Sequence, residues 1–529
     1  MKADMILKNG VIASMDEEKN YYECLAVSNG LIIAAGKEND MENYMDSQTE
    51  IIDLAGKVVV PGLIDAHQHI FKTGLNLNRV NCKTTSIKEM VERCKQYSEE
   101  INDDSQWIIG WGYDESLYQE NRHPVASDFE GINNPIYINH YSGHSAVANY
   151  KALELAGVTT DTEVDYGHVE LDSNGKPDGR LIEHASDLVS ECIPSTTEKQ
   201  LRQALKTAND KYIQYGITSV HEAGMGLNTG SLDEFKLIQE AKKNDELKIR
   251  IYAMVMDEFY DDIETVNLAS GFGNNDLKIG SIKVFADGTL SLETAAVTKP
   301  YKNSNGYGKK VHTIEDLQKF IYKAHKQGYQ IACHAIGDDA VKDVLDAYEI
   351  ALNDYPDDKR RHRIEHVSIS DRSLLQRMKK LNIIPVPQPV FLYFAGDVYL
   401  ENLHDSLADK IISTKTFLNE GLFPAGSSDS PVQDPSPFLG IYAAMSRKTI
   451  KGNIISEEEK ISLYEALKLY TINAAKASCE EDIKGTIEEG KLADLTVLPE
   501  DFLNYSAAEV KDSEVEITII DGEVVYRKS

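Results

Sequence analysis

Two histidines one residue apart close an apolar run. Val58-Val59-Val60-Pro61-Gly62-Leu63-Ile64 leads into Asp65-Ala66-His67-Gln68-His69. In an extended strand, residues i and i+2 share a face, so His67 and His69 can offer two imidazoles to one divalent ion such as zinc. An apolar run that ends in an ionisable side chain recurs along the chain. His334 follows Ile331-Ala332-Cys333, His366 follows His362-Arg363-Ile364-Glu365, and Asp429 follows Ala425-Gly426-Ser427-Ser428. The run 279–287 holds a single lysine, Lys283, and ends in Asp287. Burying an ammonium beside divalent cations lowers its pKa and frees the amine. The alternative for Lys283 is a salt bridge to Asp287 or another acid. Each signature alone is weak, because a histidine more often caps a strand than binds a metal. Five of them brought together make a site of nitrogen and oxygen donors.

A parallel barrel would bring them together. Candidate strands lie at 58–65, 217–222, 249–255, 279–286, 329–335, 363–368, 382–388 and 423–428, most of them followed by a helical pattern. One such helix opens at Thr313-Ile314-Glu315-Asp316 and stops near Gly328. Near-continuous apolar strands alternating with helices imply a parallel sheet, and eight such units imply an α/β fold of the (β/α)8 TIM-barrel type, with its active site at the strand C-termini.

The chain ends read differently. Residues 5–13 and 25–36 each look like strand, Asn-Gly turn, strand, and a strand pattern returns at 493–498 and 517–526. Neither end has enough strands alone, so the expectation is one small β-sandwich built from 1–57 and 481–529, flanking a barrel at 58–480. The stretch after the first barrel strand is too long for one helix. An inserted subdomain is expected at about 75–195, with a helix at 86–101, a strand at 107–112 and a hairpin at Asn174-Gly175. The loop 288–312 is a second long connection and a candidate lid.

Composition narrows the partners. The 529 residues hold 55 basic and 86 acidic side chains, a net charge of −31, which repels nucleic acid and anionic membranes. No apolar stretch approaches the roughly 20 residues that span a bilayer, and Met1-Lys2-Ala3-Asp4-Met5 does not read as a signal peptide. The six scattered cysteines form no Cys-x-x-Cys pair and read as reduced thiols of a cytoplasmic protein. A small-molecule substrate is expected, and a homodimer is left open.

Over essentially its whole length the chain resembles the amidohydrolase superfamily of metal-dependent hydrolases. The resemblance includes Gly485-Thr486-Ile487-Glu488-Glu489-Gly490-Lys491-Leu492-Ala493-Asp494. It is closest to the amidohydrolase-3 type subgroup that contains N-substituted formamide deformylases. The phrases that carry this are Gly110-Trp111-Gly112-Tyr113-Asp114, residues 142–149 around His144, His334-Ala335-Ile336-Gly337-Asp338, Gln388-Pro389 and Ser428-Asp429-Ser430-Pro431.

The resemblance implies that His67 and His69 bind the more buried of two metals, most simply zinc. It implies that Lys283 becomes a carbamate bridging both, that His334 and His366 hold the second, and that Asp429 is both a ligand and the catalytic proton carrier. The implied reaction is hydrolysis of a non-peptide carbon–nitrogen bond, in an N-substituted amide or formamide, by a hydroxide shared between the metals. Cyclic-amide hydrolysis or ring deamination is the alternative, and a non-catalytic regulatory protein is disfavoured by the complete ligand set. His144, Trp111, Tyr113, His221 and Asp287 are candidates for touching substrate or orienting a ligand. Tyr393 is a candidate for lining an apolar pocket.

Overall fold

Seven of the apolar runs pair side by side in the computed structural model, which describes residues 2–140, 145–165, 167–357 and 359–529. The strands are β1 (Leu63–Gln68), β2 (Ile217–Met225), β3 (Arg250–Met256), β4 (Leu277–Phe285), β5 (Gln330–Ala335), β6 (Arg363–His366) and β7 (Ile384–Val386). All neighbours are parallel, in the order β7-β6-β5-β4-β3-β2-β1. Every residue of β2, β3 and β5 is buried, as a parallel sheet covered on both faces requires. Helices follow the strands. Asp338–Asp354 follows β5, and Ile314–Lys326 opens on Thr313, whose hydroxyl accepts the Asp316 amide.

The expected eighth strand, 423–428, is not a regular strand, so the barrel is nearly closed rather than fully laddered. The segment still spans the gap between β7 and β1. The Ala425 amide donates to Pro385 O (3.0 Å), and Gly426 O accepts from Ala66 (3.1 Å). Above them, Asp429 N donates to His67 O and His69 N to Ser430 O, both at 2.8 Å. Pro424 and Pro431 lack amide donors, and Asp429 sits at φ 57°, so the chain cannot continue a ladder here.

The first run also needs correction. It splits at Gly62 into Lys57–Pro61, which joins a different sheet, and β1. A side chain at Gly62 would run into Thr218 at 2.2 Å, so only glycine lets the two segments turn so close to β2.

Beyond the barrel, a four-stranded sheet holds Met5–Lys8, Cys24–Ser28, Leu31–Gly36 and Glu50–Asp53. A six-stranded sheet joins Val11–Ala13, Tyr21–Tyr22 and Lys57–Pro61 to Leu495–Glu500, Ile517–Ile520 and Glu523–Arg527. Leu7, Leu25, Val59, Val497 and Ile519 share one core between the sheets. Asn29-Gly30 turns a true hairpin. Asn9-Gly10 does not: its two strands enter different sheets. Buried Arg250 on β3 donates to both carboxylate oxygens of Asp494, at 2.6 and 2.9 Å, a paired geometry that a buried guanidinium requires.

The chain divides into two compact units. One comprises the residues up to Thr73 with Ala208–Ser529, and the other is Gly74–Thr207. The second has its own six-stranded sheet, running Gly167–Leu171, Pro177–Glu183, Ser145–Ala148, Ile136–His140, Ile108–Tyr113, Val80–Asn81. Helix Ile87–Ile101, capped by Ser86, lays Ile87, Met90 and Cys94 into that unit's core. Among the described residues no helix is long and apolar enough to cross a membrane, and all six cysteines are free thiols.

Candidate metal centre

His67 is the next-to-last residue of β1, and His69 follows directly after the strand. Their Nε2 atoms lie 3.5 and 3.4 Å from the same oxygen, Asp429 Oδ1. Asp65 sets this meeting. Its carboxylate accepts the His67 amide and, from the segment that closes the barrel, the Ser428 amide and hydroxyl (3.1, 3.1 and 2.5 Å). His366 completes the cluster: one ligating atom each from His67, His366 and Asp429 falls within 4.8 Å of the others. His334 packs its ring 4.4 Å from His366. The backbone is strained at this point, with φ of 74° at His366, 42° at Val367 and 57° at Asp429. Such strain in non-glycine residues collects at functional sites.

The outward nitrogens fix the rings. His67 Nδ1 lies 2.5 Å from Glu365 Oε2, and His366 Nδ1 lies 2.6 Å from Gln388 Oε1. Both partner oxygens are acceptors, so each Nδ1 carries the proton and each Nε2 keeps its lone pair for a metal. His69 Nδ1 is buried without a hydrogen bond, 3.7 Å from Glu222 Oε1. His334 Nε2 donates to Gly288 O at 3.0 Å, leaving Nδ1 as its other ligand atom.

The electrostatics suit a cation. Burial, with Lys283 beside it, holds His67 well below the usual imidazole pKa, and burial with His67 beside it takes His366 to about 3. Both are neutral ligands at working pH. Burial also pushes Asp429 up, but the His69 hydrogen bond and the neighbouring imidazoles outweigh it and hold the carboxyl well below its ordinary range. His69 responds in the opposite sense. Burial lowers it, the nearby carboxylates of Asp429 and Glu222 raise it, and the result is about 8. A buried, oxygen- and nitrogen-rich donor set with three lone pairs aimed at one point fits a divalent ion.

Lys283 is 1 % exposed. No carboxylate of the described residues lies within ion-pair distance, and its Nζ sits 4.8 Å from the centre of the Phe285 ring. Burial lowers its pKa to about 8, against the raising influence of Glu365 and Asp429. Asp287, the expected alternative partner, is engaged elsewhere: its carboxylate accepts the amides of Ala296, Ile336 and Gly337 at 2.8–2.9 Å. It thereby ties the start of loop 288–312 to the end of β5.

The other candidates are placed as follows. His221 is fully buried inside the barrel, its Nδ1 accepting from Arg363 at 2.9 Å. Tyr113 is buried in the core of the inserted unit against His123 and His140. Trp111, half-buried in that unit, stacks under Lys83 at 4.5 Å. Asp114, Glu115 and His140 form a second donor group there, with the Glu115 carboxylate shared between His140 and His123 at 2.9 and 3.4 Å. His144 lies outside the described residues. Tyr393 accepts from Lys511 at 2.8 Å and lines no part of the metal cluster.

The sequence reading passed over Arg363 and Glu365. Both sit on the inner face of β6 with no exposure, and two opposite charges at i and i+2 in a barrel strand were the available signal.

A parallel barrel with histidines and an aspartate at its strand ends defines a metal-dependent hydrolase. The amidohydrolase family Amidohydro_3 matches residues 50–526, and the chain belongs to it: this is a hydrolase acting on carbon–nitrogen bonds. It is 31% identical to the putative amidohydrolase YtcJ of Bacillus subtilis over the full length of both chains. It is 27% identical to the N-substituted formamide deformylase of Arthrobacter pascens, over 99% of each. An uncharacterized metal-dependent hydrolase from Pyrococcus horikoshii superposes with a TM-score of 0.78 at 26% identity, covering 95% of this chain and 99% of that one.

Proposed function

We propose that the chain hydrolyses an amide of a substituted amine, an N-acyl or N-formyl compound of small or medium size, with two zinc ions at the barrel mouth. His67, His69 and Asp429 would hold one ion, His334 and His366 the other, and a carbamate on Lys283 both. When bound, the metals supply Lewis acidity to water and to the scissile carbonyl. The observation that carries this reading is the convergence of two Nε2 atoms on Asp429 Oδ1 at 3.4 and 3.5 Å, with the His67 ring gripped from behind by Glu365.

The residues then have distinct tasks. Asp429 is ionised and acceptor-only, so it takes the proton of the attacking water and delivers it to the leaving nitrogen, as general base and then acid. Lys283, free of counter-acids and with a lowered pKa, offers a neutral amine to CO2. Asp287 keeps loop 288–312 anchored beside the site. Support for an amide substrate is the family and the full-length likeness to a formamide deformylase.

The test is turnover of a panel of N-formyl, N-acetyl and longer N-acyl amines, cyclic amides and deaminase substrates by protein reloaded with zinc and bicarbonate, alongside elemental analysis. About two metals per chain and preference for acyclic amides are expected. Well under one metal per chain after reloading, or turnover of deaminase substrates alone, overturns the reading.

A further inference from the structure

Behind His67 lies a buried ion pair that the reaction itself does not call for. Arg363 and Glu365 have no exposure. The guanidinium meets the carboxylate through two bonds, Nε to Oε1 at 2.8 Å and Nη2 to Oε2 at 3.0 Å. The same Nη2 donates to Ala66 O at 2.6 Å, and Nη1 donates to His221 Nδ1 at 2.9 Å. Arg363 thus pins three strands: β1 through the residue before His67, β2 through His221, and its own β6. Glu365 spends its Oε2 a second time on His67 Nδ1, at 2.5 Å.

A buried ion pair is a poor source of net stability, since apolar residues of similar volume often do as well or better. Its chemistry here points inward to one imidazole. A carboxylate facing Nδ1 fixes the proton there, orients the ring and raises the basicity of Nε2. The other rings are treated differently. His366 has a neutral amide, Gln388, which is itself held by Val386 O (3.0 Å) and Ser427 Oγ (2.9 Å). The Glu222 carboxylate is 3.7 Å from His69 and accepts the Ile70 amide instead.

We propose that Glu365, oriented by Arg363, is the positioning residue of His67, and that this pair sets the affinity of the ion His67 holds. The proposal rests on the reading above that His67 is a metal ligand. It also assigns His221 to Arg363 as a rest rather than to substrate: Arg363 can only donate, so His221 Nδ1 accepts and its proton sits on Nε2.

The experiment compares wild type, Glu365→Gln and the double variant Arg363→Met/Glu365→Gln. Zinc affinity is read by competition with a chromophoric chelator, cobalt geometry by visible absorption of the Co2+ form, and folding by thermal unfolding of the metal-free protein. Glu365→Gln is expected to weaken zinc by about 10- to 100-fold and to shift the cobalt spectrum. Because that variant leaves Arg363 without a counter-charge, the double variant is the control. It is expected to regain thermal stability while its zinc affinity stays weak. Folded variants that bind zinc as wild type does, with an unchanged cobalt spectrum, overturn the proposal and make the pair a structural tie. Failure of the wild type itself to bind zinc would instead sink the metal reading.

Discussion

The two sides of the barrel mouth are built on opposite plans. On the β1 side His67 is held by Glu365, the Asp429 amide by its bond to His67 O, and the segment beneath it by Asp65. On the β4 side Lys283 and Asp287, just past the strand end, do not pair. Asp287 gives its carboxylate to three backbone amides, and among the described residues Lys283 has no acid within ion-pair distance. A committed acid cannot neutralise the lysine, and a lysine without an acid keeps a lowered pKa. The difference teaches what each side can be. Under the proposed function the β1 side would be a ligand set in its final form, while the β4 side would be an amine that becomes a ligand only after carboxylation.

Removing the amine is the most severe way to break that contrast. Lys283→Ala should lower kcat by about a thousandfold or more, since the Lewis acidity at stake is several kcal/mol. It should also remove about half of the bound metal by elemental analysis. Short carboxylic acids with bicarbonate are expected to restore part of both. Lys283→Arg is the sharper variant: a guanidinium cannot form the bridge, so near-wild-type turnover would end the carbamate reading.

Asp429→Asn attacks the other side. An amide oxygen can still face the metal but cannot accept the proton, so kcat should fall by about a hundredfold or more while metal content stays near wild type. Unchanged kcat would take Asp429 out of proton transfer, and loss of all metal would make it a ligand first.

How much of this was legible from sequence follows the same divide between local pattern and long-range partner. Seven barrel strands could be read because their apolar runs are buried on both faces. Strand ends also singled out His67, His69, Lys283, His334, His366 and Asp429, of which the structure gathers His67, His366 and Asp429 into one cluster with His69 and His334 beside it. The eighth run deceived: Pro424 and Pro431, which lack amide donors, bracket an apolar segment that closes the gap by single hydrogen bonds rather than a ladder. Asn9-Gly10 and Asn29-Gly30 have the same turn chemistry and adopt the same left-handed φ at the asparagine. Turn residues specify a bend, not which strand lies opposite, and only Asn29-Gly30 joins paired strands. The bond from Glu365 to His67 spans 298 residues, and no local pattern names such a partner.

Asp287→Asn tests whether the acid on the β4 side is structural. An asparagine would turn a donor toward at least one of the three amides, at a cost of about 1–3 kcal/mol for a buried unmet group. A Tm lower by a few degrees with metal content unchanged is expected. Loss of metal without loss of stability would instead make Asp287 part of the ligand set.

The mildest probe changes pH alone. Burial lowers the Lys283 pKa to about 8, so the amine is protonated below that value and free above it. Carboxylation consumes the free amine and CO2 and releases one proton, so its rate follows the free-amine fraction. At constant dissolved CO2 the initial rate should therefore rise from pH 7, where about a tenth of the amines are free, to pH 8, where about half are. The gain in rate is about fivefold and levels off above pH 9. Metal-free protein mixed with 13C-bicarbonate would report it as the growth of a carbamate carbon signal by NMR, absent from Lys283→Ala. An exposed lysine, with its ordinary pKa near 10.4, would keep rising steeply through pH 9. A steep rise there would place Lys283 with the surface lysines and make the two sides of the mouth less different than their hydrogen bonds imply. Levelling near pH 9 would instead mark an amine whose pKa is lowered by burial, beside an acid, Asp287, that is already engaged.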